Sequence, residues 1–108
     1  MWLMAEVDGQ VVGDVSARLE RPAEQAECQV LRYLGEVRIY VDALGVAQVH
    51  RCRGVGTRLM GAIERWARER GAVWVMLDTY AASPLSVPFY EGGMGYRRRS
   101  IVFEKRLD

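Results

Sequence analysis

The sequence predicts a mixed α/β fold. One twisted β-sheet, antiparallel at its start and parallel further on, packs against one long helix and one short helix. Three observations carry this. A two-residue Asp8-Gly9 turn joins two strand-like runs, a strand-like run precedes an amphipathic helix, and an apolar run follows that helix. At 108 residues the chain has room for a single domain.

The elements follow in order. Trp2 to Val7 reads as a strand, and Gln10 to Leu19 as its return across the turn. Residues 20–28 are polar, contain Pro22 and show no alternation, so a surface loop is expected. Strand character resumes near Val30, and Gly35 marks a bend. Glu36 to Val46, rich in Val, Ile and Tyr, predicts a long strand. Between Val55 and Arg70 apolar residues fall at 55, 59, 62, 63, 66 and 67, which is helical spacing, and Gly71 stops the helix. Ala72 to Asp78 is a continuous apolar run ending in a charge, as in a buried strand that surfaces at Asp78. Strand, helix and strand in this spacing form a crossover and imply a parallel pair. A short helix is expected between Ser83 and Glu91, and a last strand from Ile101 to Leu107. Met60, Trp66, Trp74 and Met76 are expected in the core.

Composition excludes several classes. Half of the residues are apolar and 27% are charged, the balance of a globular domain rather than of a disordered or collagen-like chain. No apolar run approaches the roughly 18 residues that span a bilayer. Met1 to Glu6 lacks the basic flank and long apolar stretch of a signal peptide. Cys28 and Cys52 suit neither a zinc site nor a disulfide framework, so no metal is expected and the compartment expected is the reducing cytoplasm. A net charge of +1 gives no global field for nucleic acid or a membrane surface. Fourteen of the 15 basic residues are nonetheless arginine, and Arg51, Arg53 and Arg58 crowd one glycine-rich turn. The run Arg97-Arg98-Arg99 reads as a solvated surface, with a small, local anion site as the alternative.

That turn, His50-Arg51-Cys52-Arg53-Gly54-Val55-Gly56-Thr57, is the sharpest chemical signal. It leaves a strand and opens the long helix. The first N–H groups of a helix have no internal partner and carry partial positive charge. Glycines let a ligand approach them, and phosphates bind well there. Flanking arginines add charge-assisted contacts. A P-loop would need Gly-Lys-Ser/Thr, which is absent. A dinucleotide fingerprint would need a third glycine where Leu59 stands, although Asp78 lies at a tolerable distance downstream for an NAD site.

The spacing Arg51-x-x-Gly54-x-Gly56 instead resembles the pyrophosphate-binding Arg/Gln-x-x-Gly-x-Gly/Ala of the GNAT N-acetyltransferase superfamily. Leu44-Gly45-Val46 before it is similar to the family's Leu-x-Val. Thr57 to Arg68, Leu77 to Tyr80, Pro88-Phe89-Tyr90-Glu91, Gly95-Tyr96 and Phe103 to Leu107 match further family segments in order, as does Ala5 to Gly13 at the start. The resemblance implies acetyl-coenzyme A as cosubstrate and an amine as acceptor. The backbone of Arg51, Cys52, Arg53, Gly54, Val55, Gly56 and Thr57 would hold the pyrophosphate. Leu44, Gly45 and Val46, on a bulged strand, would align the thioester. Tyr90 matches the tyrosine proposed to protonate the leaving thiolate. A thiol near pKa 8.5 and a phenol near 10 suit that exchange. Asp42, next to the expected bulge, is the candidate base, with Tyr40 on the same strand face to orient a water. His50 is expected to be conformational. Cys52 sits beside arginines that would activate a thiol, but the family transfers acetyl directly.

Three departures from the family pattern stand out. Members usually carry a strand and two helices before the Ala5-Glu6 region, whereas this chain opens almost at the second strand. A truncated form, half of a split or tandem protein, or a minimal form completed by dimerisation is expected. Ser83 occupies the position of a pantetheine-contacting Asn. Glu91-Gly92-Gly93-Met94-Gly95 carries one residue more than the usual spacing. The leading expectation is an acetyl-coenzyme A-dependent N-acetyltransferase, forming a twofold homodimer. The second is a non-catalytic coenzyme A-binding module.

Overall fold

The computed structural model describes residues 1–21 and 36–107. The expected loop and strand start at residues 22–35, including Cys28, Val30 and Gly35, lie outside the described residues. The chain divides into two units, Met1–Asp78 and Thr79–Asp108.

The first unit is a four-stranded sheet in the order β1-β2-β3-β4. β1 (Trp2–Val7) pairs antiparallel with β2 (Gln10–Glu20) across the expected turn. Asp8 and Gly9 take φ values of 51° and 79°, as a two-residue hairpin turn of this kind requires. A register slip opposite Ala5 and Glu6 leaves Val12 as an extra residue on β2. Val12 and Gly13 are accordingly both buried, against the alternation of the rest of the strand. β2 pairs antiparallel with β3 (Arg38–Val46), which begins two residues later than expected. β4 (Trp74–Met76) runs parallel to β3, confirming the crossover.

Helix α1 (Val55–Glu69) forms that crossover and matches its sequence pattern almost to the residue. Gly71, at φ 77°, ends it in the left-handed conformation that a side chain resists. Leu59, Met60, Ile63 and Ala67 on its inner stripe pack with Val15 and Ala17 of β2 and Ile39 and Val41 of β3. Each fully buried Ile or Met side chain in this core contributes about 1.5–3 kcal/mol. Of the other expected core residues, Trp66, Trp74 and Met76 are only half-buried. The indole of Trp66 lies under the Arg70 guanidinium, and that of Trp74 donates to Glu36.

β4 is shorter than the run from Ala72 to Asp78 suggested, and none of its residues is fully buried. Its length is set by pairing with β3, which lasts only for Arg38↔Trp74, Ile39↔Val75 and Tyr40↔Met76. β3 continues from Val41 to Val46 without that partner, so the sheet forks after Tyr40.

In the second unit a short helix, α2 (Ser86–Pro88), opens into a wide turn over Phe89–Gly93. The Met94 N–H donates to the Phe89 carbonyl at 2.9 Å, five residues back. This spacing is how a helix absorbs one inserted residue, and it accommodates the extra residue noted in Glu91 to Gly95. The strand expected over Ile101–Leu107 is not formed. A strand needs a ladder partner, and this segment pairs with none among the described residues. Ile101, Val102, Phe103 and Leu107 are exposed.

Candidate functional site: the phosphate turn and the fork in the sheet

The glycine-rich turn sits between the end of β3 and the start of α1. Residues 48–50 form a single tight helical turn, closed by the Arg51 N–H on the Gln48 carbonyl at 3.3 Å. That bond occupies the Arg51 amide, so the open donors run from Cys52 to Thr57. Their N–H groups make no hydrogen bond among the described residues, and no acidic residue lies in the first turn of α1. Cys52 (φ 62°) and Gly54 (φ 83°) are both left-handed. Left-handed residues in a turn re-aim the N–H groups that follow them, and N–H groups turned to one side make an anion-binding concavity. For Cys52 this conformation costs about 1–2 kcal/mol, strain that a binding turn can carry. A side chain on Gly54 would meet no atom within 4 Å, so glycine is needed there for its backbone angle.

The arginines surround these amides. Arg51 Nε donates back to the Val46 carbonyl at 3.1 Å, holding the turn against the end of β3. Arg53 and Arg58 are exposed. The donor set, the positive helix end and a first turn of α1 without an acidic residue suit a pyrophosphate group.

Gly13 holds β2 close to this region. A Cβ there would stand 2.8 Å from the Gly45 carbonyl oxygen and 3.1 Å from Val55 Cγ1. The Ala47 N–H donates to the Val12 carbonyl at 2.7 Å, fixing the residue after β3 to the β2 bulge. The bulge of β3 lies earlier than its expected place at Leu44 to Val46. Ser16 pairs with Ala43 and Ala17 with Val41, so Asp42 itself is the extra residue. A bulge re-aims its side chain, and the Asp42 carboxylate pairs with the Arg18 guanidinium. Leu44 and Val46 are half-buried and Gly45 is exposed, on the stretch of β3 past the fork.

Arg18 does more than hold Asp42. It also pairs with Glu20 at 3.2 Å and lies over the Tyr40 ring, 4.5 Å from its centroid. Tyr40 stands directly opposite Arg18 in the ladder and donates its hydroxyl to Asp78. Burial first, then this bond, push the Tyr40 phenol up to about 12. Sequence reasoning missed Arg18. The signal lay in the alternation of β2, which puts Ser16 and Arg18 on the face away from Val15 and Ala17, but only the register sets Arg18 against Tyr40.

Within the second unit Tyr90 is half-buried between aromatic rings, 5.0 Å from Phe89 and 5.8 Å from Tyr96. Burial raises its pKa, so it stays protonated at neutral pH. The Ser83 hydroxyl oxygen accepts from the N–H of Ser86, the first residue of α2, at 3.1 Å. Its own O–H remains available to donate. Arg98 of the arginine run forms a two-pronged ion pair with Glu91.

Comparison with known proteins gives the family. Residues 1–96 match the model of the Acetyltransferase (GNAT) family. The chain belongs to that family. Among solved structures it is similar to a putative acetyl transferase from Pyrococcus furiosus (TM-score 0.80, 24% identity, 98% of this chain). It is also similar to the aminoglycoside acetyltransferase HMB0005 from an uncultured soil metagenomic sample (TM-score 0.75, 26% identity, 99% of this chain). It spans 64% and 65% of those two chains. A curated relative, the probable N-acetyltransferase HLS1 of Arabidopsis thaliana, is 35% identical over 57 residues, which make up 53% of this chain and 14% of the plant protein.

Proposed function

We propose that this chain binds acetyl-coenzyme A and transfers its acetyl group directly to a primary amine, of a small molecule or of a protein. The observation that carries the reading is the open, un-neutralised run of amides from Cys52 to Thr57 at the head of α1, flanked by Arg53 and Arg58. The pyrophosphate takes those amides. The pantetheine arm, itself an extended amide chain, follows the edge of β3 that β4 leaves unpaired, through Leu44, Gly45 and Val46. A new C–N bond forms at the acetyl carbon as the C–S bond breaks, and the nitrogen electron pair makes the bond. A protonated acceptor sheds two protons in all. One replaces the proton the thiolate takes from Tyr90, and one goes to solvent. Asp42 is the candidate base.

A second reading, binding without transfer, draws on the Arg18–Asp42 pair. That pair occupies the candidate base with a fixed cation. Both readings share one first measurement, calorimetric titration with acetyl-coenzyme A and with NAD as control. Acetyl-coenzyme A should bind with micromolar affinity and NAD should not. Gly54→Val, which forces a branched side chain into φ 83°, should weaken binding about tenfold or more. Unchanged affinity in that variant would reject the phosphate turn. Acetyl transfer to a panel of amines then separates enzyme from module.

A further inference from the structure

Four carboxylates lie along β2, β3 and the end of β4 on the side of the fork: Asp14, Glu20, Asp42 and Asp78. Their partners differ. Glu20 is paired with Arg18 and Arg38, and Asp42 with Arg18. Asp14 accepts from the Trp2 indole at 2.9 Å and stands opposite Gly45, at the phosphate-turn end of β3 rather than at the base of the fork. Asp78 accepts from Tyr40 alone among the described residues, and is exposed. It is therefore the one carboxylate at the base of the fork that makes no ion pair among the described residues.

Its place is set by the sheet. Tyr40↔Met76 is the last pair before β3 and β4 part, and the Tyr40–Asp78 bond closes the fork at its base. The opening faces the carboxyl ends of two parallel strands, where ligands of such sheets bind. From Val46, beside the phosphate turn, back to Val41 the free edge of β3 runs about 17 Å. An extended arm anchored by its pyrophosphate at residues 52–57 and laid along that edge ends beside Tyr40 and Asp78. The Tyr40 hydroxyl occupies Oδ2 and leaves Oδ1 to accept from a ligand.

We propose that Asp78 receives the acceptor's ammonium group at the base of the fork, with Tyr40 as the positioning residue that fixes the orientation of its carboxylate. The inference rests on the acetyltransferase reading and adds to it a preference for cationic acceptors. Arg18 is already paired with Asp42 and Glu20, which leaves Asp78 as the carboxylate at the base of the fork without an ion-pair partner among the described residues.

The test uses the full chain with spermidine, kanamycin and a short peptide with a free N-terminus as acceptors. Steady-state kinetics and calorimetric binding of the best acceptor to the protein saturated with coenzyme A are read in parallel. Asp78→Asn should raise the acceptor KM and Kd by about tenfold to a hundredfold, leaving acetyl-coenzyme A affinity and thermal stability near wild type. Asp78→Glu should recover part of the loss. Tyr40→Phe should cost about threefold to tenfold, again in acceptor KM rather than in cofactor affinity. An Asp78→Asn protein that binds and acetylates the acceptor as well as wild type would overturn the inference and leave the acetyltransferase reading standing. An equal loss of cofactor affinity would overturn it too, by making Asp78 structural. A wild type that binds acetyl-coenzyme A but neither binds nor acetylates any of the three amines would overturn both.

Discussion

Tyr40 and Tyr90 are both phenols with raised pKa values, for different reasons. Burial between Phe89 and Tyr96 raises Tyr90, while the Asp78 carboxylate adds to burial at Tyr40. The sign of the resulting pH dependence follows. Below pH 10 Tyr40 is neutral in both folded and unfolded chains and contributes no slope. Between 10 and its folded value of about 12 the unfolded chain ionises first, so stability falls as pH rises. Tyr40→Phe should flatten the alkaline loss of stability in that window and remove the latest phenol transition from an ultraviolet titration. A wild-type titration in which all phenols ionise together near 10 would contradict the bond to Asp78. For Tyr90 the expected result of Tyr90→Phe is a fall in kcat of about a hundredfold with acetyl-coenzyme A affinity retained. An unchanged kcat would assign the ring to packing. The role proposed for its hydroxyl is legible in the sequence only through the family resemblance, since nothing in the local pattern sets Tyr90 apart from Tyr96.

At the scale of elements, β3 is where packing and chemistry meet. Its first half is paired on both sides, and its second half, leading to the glycine-rich turn, keeps only its β2 partner among the described residues. The change comes from two irregularities, the bulge at Asp42 and the early end of β4. Gly13 enforces the geometry from the other side by letting β2 close onto Gly45 and Val55. Gly13→Ala puts a methyl 2.8 Å from a backbone oxygen that no rotamer can move. The variant should lose about 1–3 kcal/mol of stability, measured by denaturant unfolding. It should also bind acetyl-coenzyme A more weakly, because Gly45 and the first turn of α1 must both shift. A variant as stable as wild type would mean that the two strands separate without strain. The wide turn at Phe89–Gly93 is a comparable local device, taking up one residue without unwinding α2.

On the scale of the whole molecule, apolar surface is left uncovered. Trp2, Met4 and Val7 of β1 are exposed, and β1 has no partner on its outer edge among the described residues. A groove of about 290 Å³ runs between β1 and α1, lined by Leu3, Ala5, Val7, Leu59 and Ala62 among others. Exposed, largely apolar surface with a free strand edge favours association. We therefore expect a twofold dimer. Sedimentation should give twice the chain mass at micromolar concentration, and Met4→Lys, placing a charge on the exposed face of the edge strand, should shift it toward the monomer. A monomer throughout the concentration range would reject the expectation.

The sequence by itself determined whatever depends on local repetition and on backbone chemistry. The 3.6-residue stripe and Gly71 placed α1 over its observed range, Asp8-Gly9 placed the hairpin, and the glycines of residues 51–57 placed the turn that opens α1. These features are short-range, and each residue type states its own requirement. Tertiary structure alone decided where pairing stops and what faces what. β4 shrinks to three residues because β3 offers it only three partners, and Ile101–Leu107, though strand-like in composition, forms no ladder. The bulge falls at Asp42 rather than at Leu44 to Val46, because it is a mismatch between two strands and belongs to neither sequence alone. Arg18 meets Tyr40 and Asp42, and Tyr40 meets Asp78, only through the register of three strands. A carboxylate's role depends on which charges stand around it, and those neighbours come from distant parts of the chain.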